Sequence, residues 1–250
     1  MSGLAAPAAT AFARGPFLAG SVVILEEEEA HHLRVRRVEE GATIRLVDGK
    51  GGVATARLAI ERQVLAARVV ATTTVAAPPR TELLVGAGDR DRFLMLVEKA
   101  TELGASRVVP LVTERSVAVA TRFQAAHVDK AVRRTREAVK QSGAAWAPVV
   151  TAPTALSEAF RTPARGGLRL LAHADGGPLP AIREGDAVQW VVGPEGGLSD
   201  AEVAALRAAG FVPVALGRAT LRFDTAAMAC LAVTAAARLR GGDEMRGGTV

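Results

Sequence analysis

Residues 191–231 read VVGPEGGLSDAEVAALRAAGFVPVALGRATLRFDTAAMACL, and the order of their segments indicates the fold class. The apolar run Val188–Val192 has the length of a β-strand, and Gly193 and Pro194 stop it. The residues that follow alternate between helix-like and strand-like segments separated by glycine-containing loops. This alternation is typical of a parallel sheet with helices on its faces, so the sequence predicts an α/β fold.

The helices of this stretch have recognisable ends. Ser199 and Glu202 have the spacing of a capping box, in which the hydroxyl accepts from an amide of the first turn and the carboxylate reaches back. A helix is therefore predicted to begin at Ser199, and Gly210 is placed to end it with a positive φ. A strand is predicted over Phe211–Leu216 and a final helix over Thr225–Arg240.

Two glycine-containing loops follow predicted strands, at the edge where open α/β sheets bind ligands. Gly196, Gly197 and Gly217 would let the backbone close around a flat base or a ribose. Tight turns explain the same glycines equally well, so spacing alone leaves both interpretations open. Neither the Walker spacing nor a GxGxxG segment opening directly into a helix is present, and no known phosphate loop is indicated.

The motifs GPEGGLSDAEV and LG..TLR.DTA resemble those of the RsmE family of ribosomal RNA uridine methyltransferases, within the SPOUT class. Most of the chain shares this resemblance, through the blocks HHLRVRR, DGKG, EKATELG, TERS and EA..QS. The resemblance implies a trefoil-knotted α/β domain that binds S-adenosyl-L-methionine and acts as a homodimer. It also implies methylation of the N3 imide nitrogen of a uridine in 16S ribosomal RNA, either naked or in the assembled small ribosomal subunit.

The chain is predicted to form two domains. Residues 1–75 contain closely spaced strand-like runs, which suggest a small β-barrel, and the resemblance implies a PUA-like barrel that binds RNA. Residues 76–81 include two prolines and are predicted to be a linker. Residues 82–240 form the predicted methyltransferase domain, and residues 241–250 a flexible tail.

Several further elements are predicted from apolar periodicity. In the first domain these are strands at Val22–Leu25, Thr43–Val47, Val53–Ile60 and Val64–Val70 and a short helix at Glu26–Val38. In the second domain they are strands at Glu82–Val85, Arg107–Val112 and Gly166–His173, a helix at Arg90–Leu103 and a strongly basic helix at Phe123–Ser142.

The resemblance also implies which residues hold the cofactor. The two loops and the end of the strand Gly166–His173 would form three walls of one site. The candidate cofactor-binding residues are Leu171, His173, Gly193, Pro194, Glu195, Gly196, Gly197, Leu216, Gly217 and Leu221.

The uridine imide nitrogen must lose its proton before it attacks, so a cation and a proton acceptor are needed near the base. Arg222 is the candidate cation, although it could instead fix its loop by pairing with Glu195 or Asp224. Glu195 and Asp224 complete the set of candidate catalytic residues. The family usually has LRTETA where this chain has LRFDTA, so Phe223 replaces a hydroxyl.

Net charge is +5 with a pI of about 10.3, and arginine supplies most of the excess, which favours phosphate recognition. A solvated face balanced by nearby glutamates explains the basic clusters as well, but the resemblance favours contact with RNA. The candidate RNA-binding residues are Arg14, Arg34, Arg36, Arg37, Lys50, Arg133 and Arg136.

Other features set limits on function. No apolar run approaches the ~20 residues of a membrane span. The single Cys230 lies in an apolar helix and is predicted to be a buried thiol that packs in the core. A chain with one cysteine has no internal disulfide, which favours the cytoplasm. His31 and His32 are adjacent and lack partners with ligand spacing, so no metal is predicted.

Two other classes of protein stay open at this stage. A nucleotide-dependent enzyme of Rossmann type is disfavoured, because the chain lacks the GxGxxG fingerprint and the acidic residue that binds the ribose in such enzymes. A non-catalytic RNA-binding protein on the same scaffold is kept open by departures from the family pattern. These departures are Ala87 in place of a lysine, Ala144 in place of an arginine, and Phe223.

Overall fold

The structure is a computed structural model that describes residues 6–61, 63–118, 120–160 and 167–246, with residues 240–246 described by their backbone alone. The chain divides into two compact units. The first ends at Ala77 and also includes Arg136–Ala147, and the second consists of Pro78–Thr135 and the residues from Pro148 onward. The sequence placed the interdomain boundary at residues 76–81 but did not separate Arg136–Ala147 from the second domain.

The first unit contains a mixed sheet of five strands in the order β1-β3-β4-β5-β2. β1 and β3 are parallel, and the other neighbours are antiparallel. Its elements are β1 (Ala9–Phe12), β2 (Val22–Ile24), α1 (Glu27–Val35), β3 (Thr43–Val47), β4 (Gly52–Glu61) and β5 (Val64–Thr74).

Strand β1 was not predicted, because its four residues ATAF carry little apolar signal. It forms because Ala9 and Ala11 alternate inward and complete the core of the unit beside Ile44 and Leu46. The predicted helix Glu26–Val38 is shorter in the structure, because Arg37 adopts a left-handed backbone conformation with φ 54° just after the helix.

The segment 145–147 attaches to the turn between β3 and β4. The amide of Gly51 donates to the carbonyl of Ala145 at 2.9 Å, and the amide of Ala147 donates to the carbonyl of Gly49 at 2.9 Å. Trp146 donates from Nε1 to the carbonyl of Val75 at 3.0 Å. A Cβ on Gly51 would lie 2.7 Å from the Trp146 ring, so this glycine of the DGKG turn makes room for the indole.

A buried ion pair lies between α1 and the end of the basic helix in the first unit. Lys140 Nζ lies 2.7 Å from Glu29 Oε1, and the two side chains are only 6% and 8% exposed. Glu29 Oε2 also accepts from the amide of Phe12 at 3.2 Å. Burial opposes the charge of Lys140, but the hydrogen bonds that its ammonium donates to Glu137 and Glu29 outweigh this effect and raise the pKa of the ammonium.

Replacing Lys140 by methionine is expected to lower the free energy of unfolding by about 3 kcal/mol, because Glu29 would keep a buried charge without its partner. Urea denaturation monitored by circular dichroism measures this change. The matched control is Lys50→Met, because Lys50 is exposed and its removal should change stability by less than about 0.5 kcal/mol. Equal stability of the two variants would contradict the importance of the pair.

The second unit is built on one sheet with the strand order β12-β10-β11-β6-β7-β8, and β9 pairs with β7. All of its strand pairs are parallel. Its strands are β6 (Thr81–Gly86), β7 (Arg107–Val112), β8 (Val149–Val150), β9 (Thr154–Ala155), β10 (Leu168–Gly177), β11 (Val188–Val192) and β12 (Val212–Val214). Its helices are α2 (Arg90–Glu102), α3 (Val128–Ser142), α4 (Leu156–Ala159), α5 (Asp200–Ala208) and α6 (Phe223–Arg246), and α3 continues into the first unit from Arg136.

The central strands are buried on both faces, as expected for a parallel sheet covered by helices. Every residue of β6 and β11 is buried. One face packs Leu83, Trp190 and residues of α2 and α6, and the other packs Leu84 and Val191 with residues of α5. The predicted α/β class is therefore confirmed, and β7 and β11 have the predicted bounds.

Helix α6 is longer than predicted. It runs to Arg246, so the predicted helix end at Arg240 is corrected and residues 241–246 are helical, while residues 247–250 lie outside the described part of the chain. Cys230 is fully buried in this helix, which confirms the predicted packing role, and burial raises the pKa of its thiol. None of the helices described is long and apolar enough to cross a membrane.

Candidate active site

A cleft of about 390 Å³ opens at the carboxyl ends of β10, β11 and β12. Its volume falls within the range of small-molecule sites, about 300–1,000 Å³. Three stretches of chain line it, each in the carboxyl half of one of these strands or in the loop and helix that follow it. The lining residues are Ala172, His173, Ala174, Val192, Gly193, Pro194, Glu195, Gly196, Gly197, Leu198, Leu216, Gly217, Ala219, Thr220, Leu221, Phe223 and Ala226.

The first wall is the glycine loop between β11 and α5. The amide of Gly197 donates to the carbonyl of Pro194 at 2.8 Å, and Gly197 has a φ of 70°, which a residue with a side chain rarely adopts. The predicted capping box then begins α5, since Ser199 N donates to Glu202 at 2.9 Å and Glu202 N to Ser199 at 3.3 Å. The loop is therefore held at both ends.

Glu195 lies on this wall and also contacts the loop before α2. Its Oε1 accepts from the amide of Asp89 at 3.1 Å. A Cβ on Gly88 would stand 2.5 Å from Glu195 Oε2, so the Glu195 carboxylate lies directly against this glycine. Asp89 in turn caps α2, and its hydrogen bonds from Thr121 and from the amide of Arg92 lower its pKa.

The second wall is the loop from Leu216 to Leu221, followed by the first turn of α6. Asp224, a candidate catalytic residue, is not among the lining residues, because its carboxylate turns to Arg92 of α2 at 3.4 Å. The side chain of Asp224 is 5% exposed, and its Oδ1 has no hydrogen-bond partner among the described residues. The structure thus places Asp224 behind the cleft wall rather than on it.

Arg222 is exposed and stands between the lining residues Leu221 and Phe223. Pairing of Arg222 with Glu195 or Asp224 is not what the structure shows, because those carboxylates bind the Asp89 amide and Arg92. Within the described residues, no ion pair involves Arg222. Its guanidinium is therefore available at the edge of the cleft.

The third wall is formed by residues in the middle of β10. Ala172, His173 and Ala174 line the cleft, and His173 Nδ1 accepts from the amide of Asp175 at 3.2 Å. Leu171 does not line it, because alternation along the strand turns this side chain into the opposite core, where it is fully buried. All other predicted cofactor-binding residues lie on the cleft.

The predicted RNA-binding residues of the first unit divide into two groups. Arg14 lies 3.4 Å from Glu26 and Arg34 2.9 Å from Glu27. Arg136 lies 3.8 Å from Glu26 and 4.9 Å from the centre of the Phe12 ring. The remaining residues, Arg36, Arg37 and Lys50, are exposed, as is Arg133 in the second unit.

Sequence reasoning missed several residues that the fold brings to the site. Leu198, Ala219, Thr220 and Ala226 line the cleft but carry no chemical signal of their own. Arg92, which holds Asp224, lies 132 residues from it in sequence, and no local pattern could have paired them. In the described ranges, no group of three or more His, Cys, Asp or Glu side chains could hold a metal ion.

Comparison with known proteins agrees with this architecture. Residues 76–235 match the family described as an RNA methyltransferase domain, and residues 25–66 match an RNA methyltransferase PUA domain. Ribosomal RNA small subunit methyltransferase E of Mycobacterium bovis is 33% identical over 229 residues, which cover 85% of both chains. The protein of the same name from Aquifex aeolicus is 30% identical over 222 residues, 86% of this chain and 94% of that one.

Solved structures of similar fold extend over nearly the whole chain. Ribosomal RNA small subunit methyltransferase E from Neisseria gonorrhoeae, bound to S-adenosyl methionine, superposes with a TM-score of 0.82 at 27% identity and covers 92% of this chain and 98% of its own. A Legionella pneumophila protein in complex with the same cofactor gives a TM-score of 0.81 at 27% identity, with 92% and 97% coverage. The cleft thus lies in the part of the chain that matches the RNA methyltransferase domain, and the chain belongs to the ribosomal RNA small subunit methyltransferase E family of RNA methyltransferases.

Proposed function

We propose that this protein transfers a methyl group from S-adenosylmethionine to the N3 imide nitrogen of a uridine in 16S ribosomal RNA. The observation that carries the proposal is the cleft formed by two glycine-containing loops at the carboxyl ends of parallel strands, with Glu195 on its wall and Arg222 at its edge. Family membership supplies the reaction class and the RNA substrate.

The residues of the cleft fit a cofactor of this kind. Most lining residues are small or apolar, which suits a flat adenine and a ribose. A Cβ on Gly217 would meet no atom within 4 Å, so no described residue fills the space beside this part of the cleft wall. The loops containing Gly193–Gly197 and Leu216–Leu221 would hold the cofactor, which supplies an already activated methyl group.

This chain then catalyses the transfer by positioning the cofactor and the uridine and by stabilising the charge that develops on the base. Arg222 stabilises the negative charge that develops on the uracil oxygens when the imide loses its proton. Glu195 receives that proton, since this residue lines the cleft and, among the described residues, its Oε1 accepts from the Asp89 amide while its Oε2 accepts no hydrogen bond. The nitrogen lone pair forms the new bond to the methyl carbon, and the carbon–sulfur bond breaks to leave a neutral thioether.

The departures from the family pattern are compatible with this assignment. Phe223 is 3% exposed and belongs to the core of the second unit, so it contributes packing at a position where relatives carry a hydroxyl. Asp224 is held by Arg92 and acts as a support for the loop rather than as the proton acceptor. The reaction proposed here requires neither a hydroxyl at 223 nor a free carboxylate at 224.

Three further features belong to the same proposal. The chain forms a trefoil knot, which is supported by the return of α6 from the edge strand β12 to β6 and β11 in the middle of the sheet. Arg36, Arg37, Lys50 and Arg133 contact the RNA backbone, because they are exposed cations that form no ion pair within the described parts of the chain. The protein acts in the cytoplasm as a homodimer. Light scattering would measure the mass of this dimer.

Methyl transfer to unmodified small ribosomal subunits tests the function. Labelled S-adenosylmethionine is supplied with naked 16S RNA or with subunits, and mass spectrometry of digested RNA then locates the methyl group. We expect incorporation at a uridine, in a product that behaves as N3-methyluridine. Calorimetry should show binding of S-adenosylmethionine and S-adenosylhomocysteine but not of NAD.

Each alternative predicts a different result in these measurements. A non-catalytic RNA-binding protein would bind the subunits without incorporating label. A nucleotide-dependent enzyme would bind NAD in preference to S-adenosylhomocysteine. Label at a carbon atom, at a ribose hydroxyl or at another base would keep the enzyme class but overturn the assignment to the uridine imide.

A further inference from the structure

The turn that follows β7 is fixed by its own side chains. The amide of Thr113 donates to Ser116 Oγ at 2.8 Å, and the amide of Ser116 donates to Thr113 Oγ1 at 3.2 Å. Ser116 is fully buried and Thr113 is 2% exposed. The backbone of the two residues between them is therefore held in one position at the surface.

The same turn is fastened to the start of α5. Glu202 Oε1 accepts from the amide of Glu114 at 2.8 Å, while Glu202 Oε2 accepts from the amide of Ser199 at 2.9 Å. One carboxylate thus ties the turn to the helix that begins directly after the glycine loop. Movement of the turn relative to α5 would break the hydrogen bond between the Glu114 amide and Glu202.

Arg115 extends from this turn across the outside of the glycine loop. Its Nη1 donates to the carbonyl of Gly196 at 2.8 Å. Its Cβ and Cδ lie 3.3 and 3.6 Å from the position that a Cβ on Gly196 would take, so the glycine lets the arginine lie against the backbone. Arg115 is exposed and does not line the cleft, although Gly196 does.

Only part of the hydrogen-bonding capacity of the Arg115 guanidinium is taken up by the described residues. One N–H group binds the carbonyl of Gly196, and no acidic side chain of the described ranges pairs with it. Two arginines of α2 do have acidic partners, since Arg90 pairs with Asp91 and Arg92 pairs with Asp224. A fixed cation with unused donors in a planar fork matches the geometry of a phosphate.

We infer that Arg115 binds a phosphate of the RNA strand beside the nucleotide that is methylated. The inference rests on the proposed function. A carboxylate of the cofactor is not the partner, because the cofactor lies in the cleft and Arg115 stands outside its wall. The RNA must reach the cleft from solvent, and Arg115 lies at the surface next to a residue of the wall.

The salt dependence of RNA binding tests this inference, because each phosphate contact releases counterions. The dissociation constant for unmodified small ribosomal subunits is measured by filter binding between about 50 and 200 mM salt. For Arg115→Gln we expect affinity to fall about tenfold and the slope of log affinity against log salt to decrease by about 0.7. Glutamine keeps an N–H donor for the carbonyl of Gly196, so affinity for S-adenosylmethionine should stay within about twofold.

Two further variants make the result specific. Arg115→Lys keeps the charge and should restore the salt slope, with affinity between that of the wild type and of the glutamine variant. Arg183→Ala removes an equally exposed arginine from the loop before β11, at the opposite edge of the sheet, and should leave the slope unchanged.

The outcomes separate the inference from the proposed function. Wild-type protein that neither binds nor methylates subunits would overturn the proposed function, and this inference with it. Active wild-type protein with an unchanged slope in Arg115→Gln would overturn the inference alone. A loss of S-adenosylmethionine affinity with an unchanged slope would assign Arg115 to support of the glycine loop, and would also overturn it.

Discussion

Replacing Arg222 by alanine is expected to lower the rate of methyl transfer by at least about 100-fold, because the charge on the uracil oxygens would lose its stabilising cation. Affinity for S-adenosylmethionine should stay unchanged, since Arg222 is exposed beside the cleft and does not line it. Single-turnover transfer to subunits gives the rate, and calorimetry gives the affinity. The effect should shrink as pH rises, because the imide then loses its proton without help.

Arg218→Ala is the matched control for this prediction. Arg218 is an exposed arginine of the same loop, four positions before Arg222, and its removal changes the net charge equally. We expect the rate of methyl transfer by this variant to stay within about threefold of the wild-type rate. Removing one positive charge weakens the general electrostatic attraction for RNA only slightly. Equal losses in the two variants, or unchanged turnover in Arg222→Ala, would remove Arg222 from the mechanism.

Replacing Gly86 by alanine is expected to weaken binding of S-adenosylmethionine at least about tenfold. A Cβ at Gly86 would lie 2.4 Å from the nitrogen and 2.7 Å from the Cα of Pro194, which lines the cleft. Gly86 ends a central strand and pairs with Leu111, so the glycine loop must move instead. Such overpacking costs about 1–3 kcal/mol, and 1.4 kcal/mol corresponds to about tenfold in affinity.

Gly185→Ala is the control, since a Cβ at Gly185 would meet no atom within 4 Å and φ there is not positive. Calorimetry should show unchanged affinity for that variant, and thermal unfolding should show both proteins folded. Unchanged affinity in Gly86→Ala would mean that the position of Pro194 does not control the cleft. Transfer at saturating cofactor would then also be expected at the wild-type rate.

Much of the second unit was predictable because its signals are local. The capping box at Ser199 needs only two residues three positions apart, and the apolar run Val188–Val192 needs only burial on both faces. The cleft loops were predictable for the same reason, since glycines after a strand are visible in the sequence. Resemblance to a family added the nature of the ligand, which spacing alone could not give.

The first unit was less predictable, and its failures have physical causes. Strand β1 consists of residues with weak β-propensity and exists because it pairs with β3, more than thirty residues later. The attachment of segment 145–147 to the DGKG turn depends on an indole fitting over Gly51. Both are long-range contacts, which no local pattern encodes.

Local sequence patterns were sufficient to predict the α/β class, the two cleft loops, the capping box and the burial of Cys230, because each depends on neighbours along the chain. The partners of the charged residues, in contrast, follow from the folded arrangement of distant elements. Asp224 pairs with Arg92, Glu195 accepts from the Asp89 amide, and Arg222 is left without an acidic partner among the described residues. Ion pairs act through space over a few ångströms, so residues far apart in sequence become partners only when folding brings their elements together.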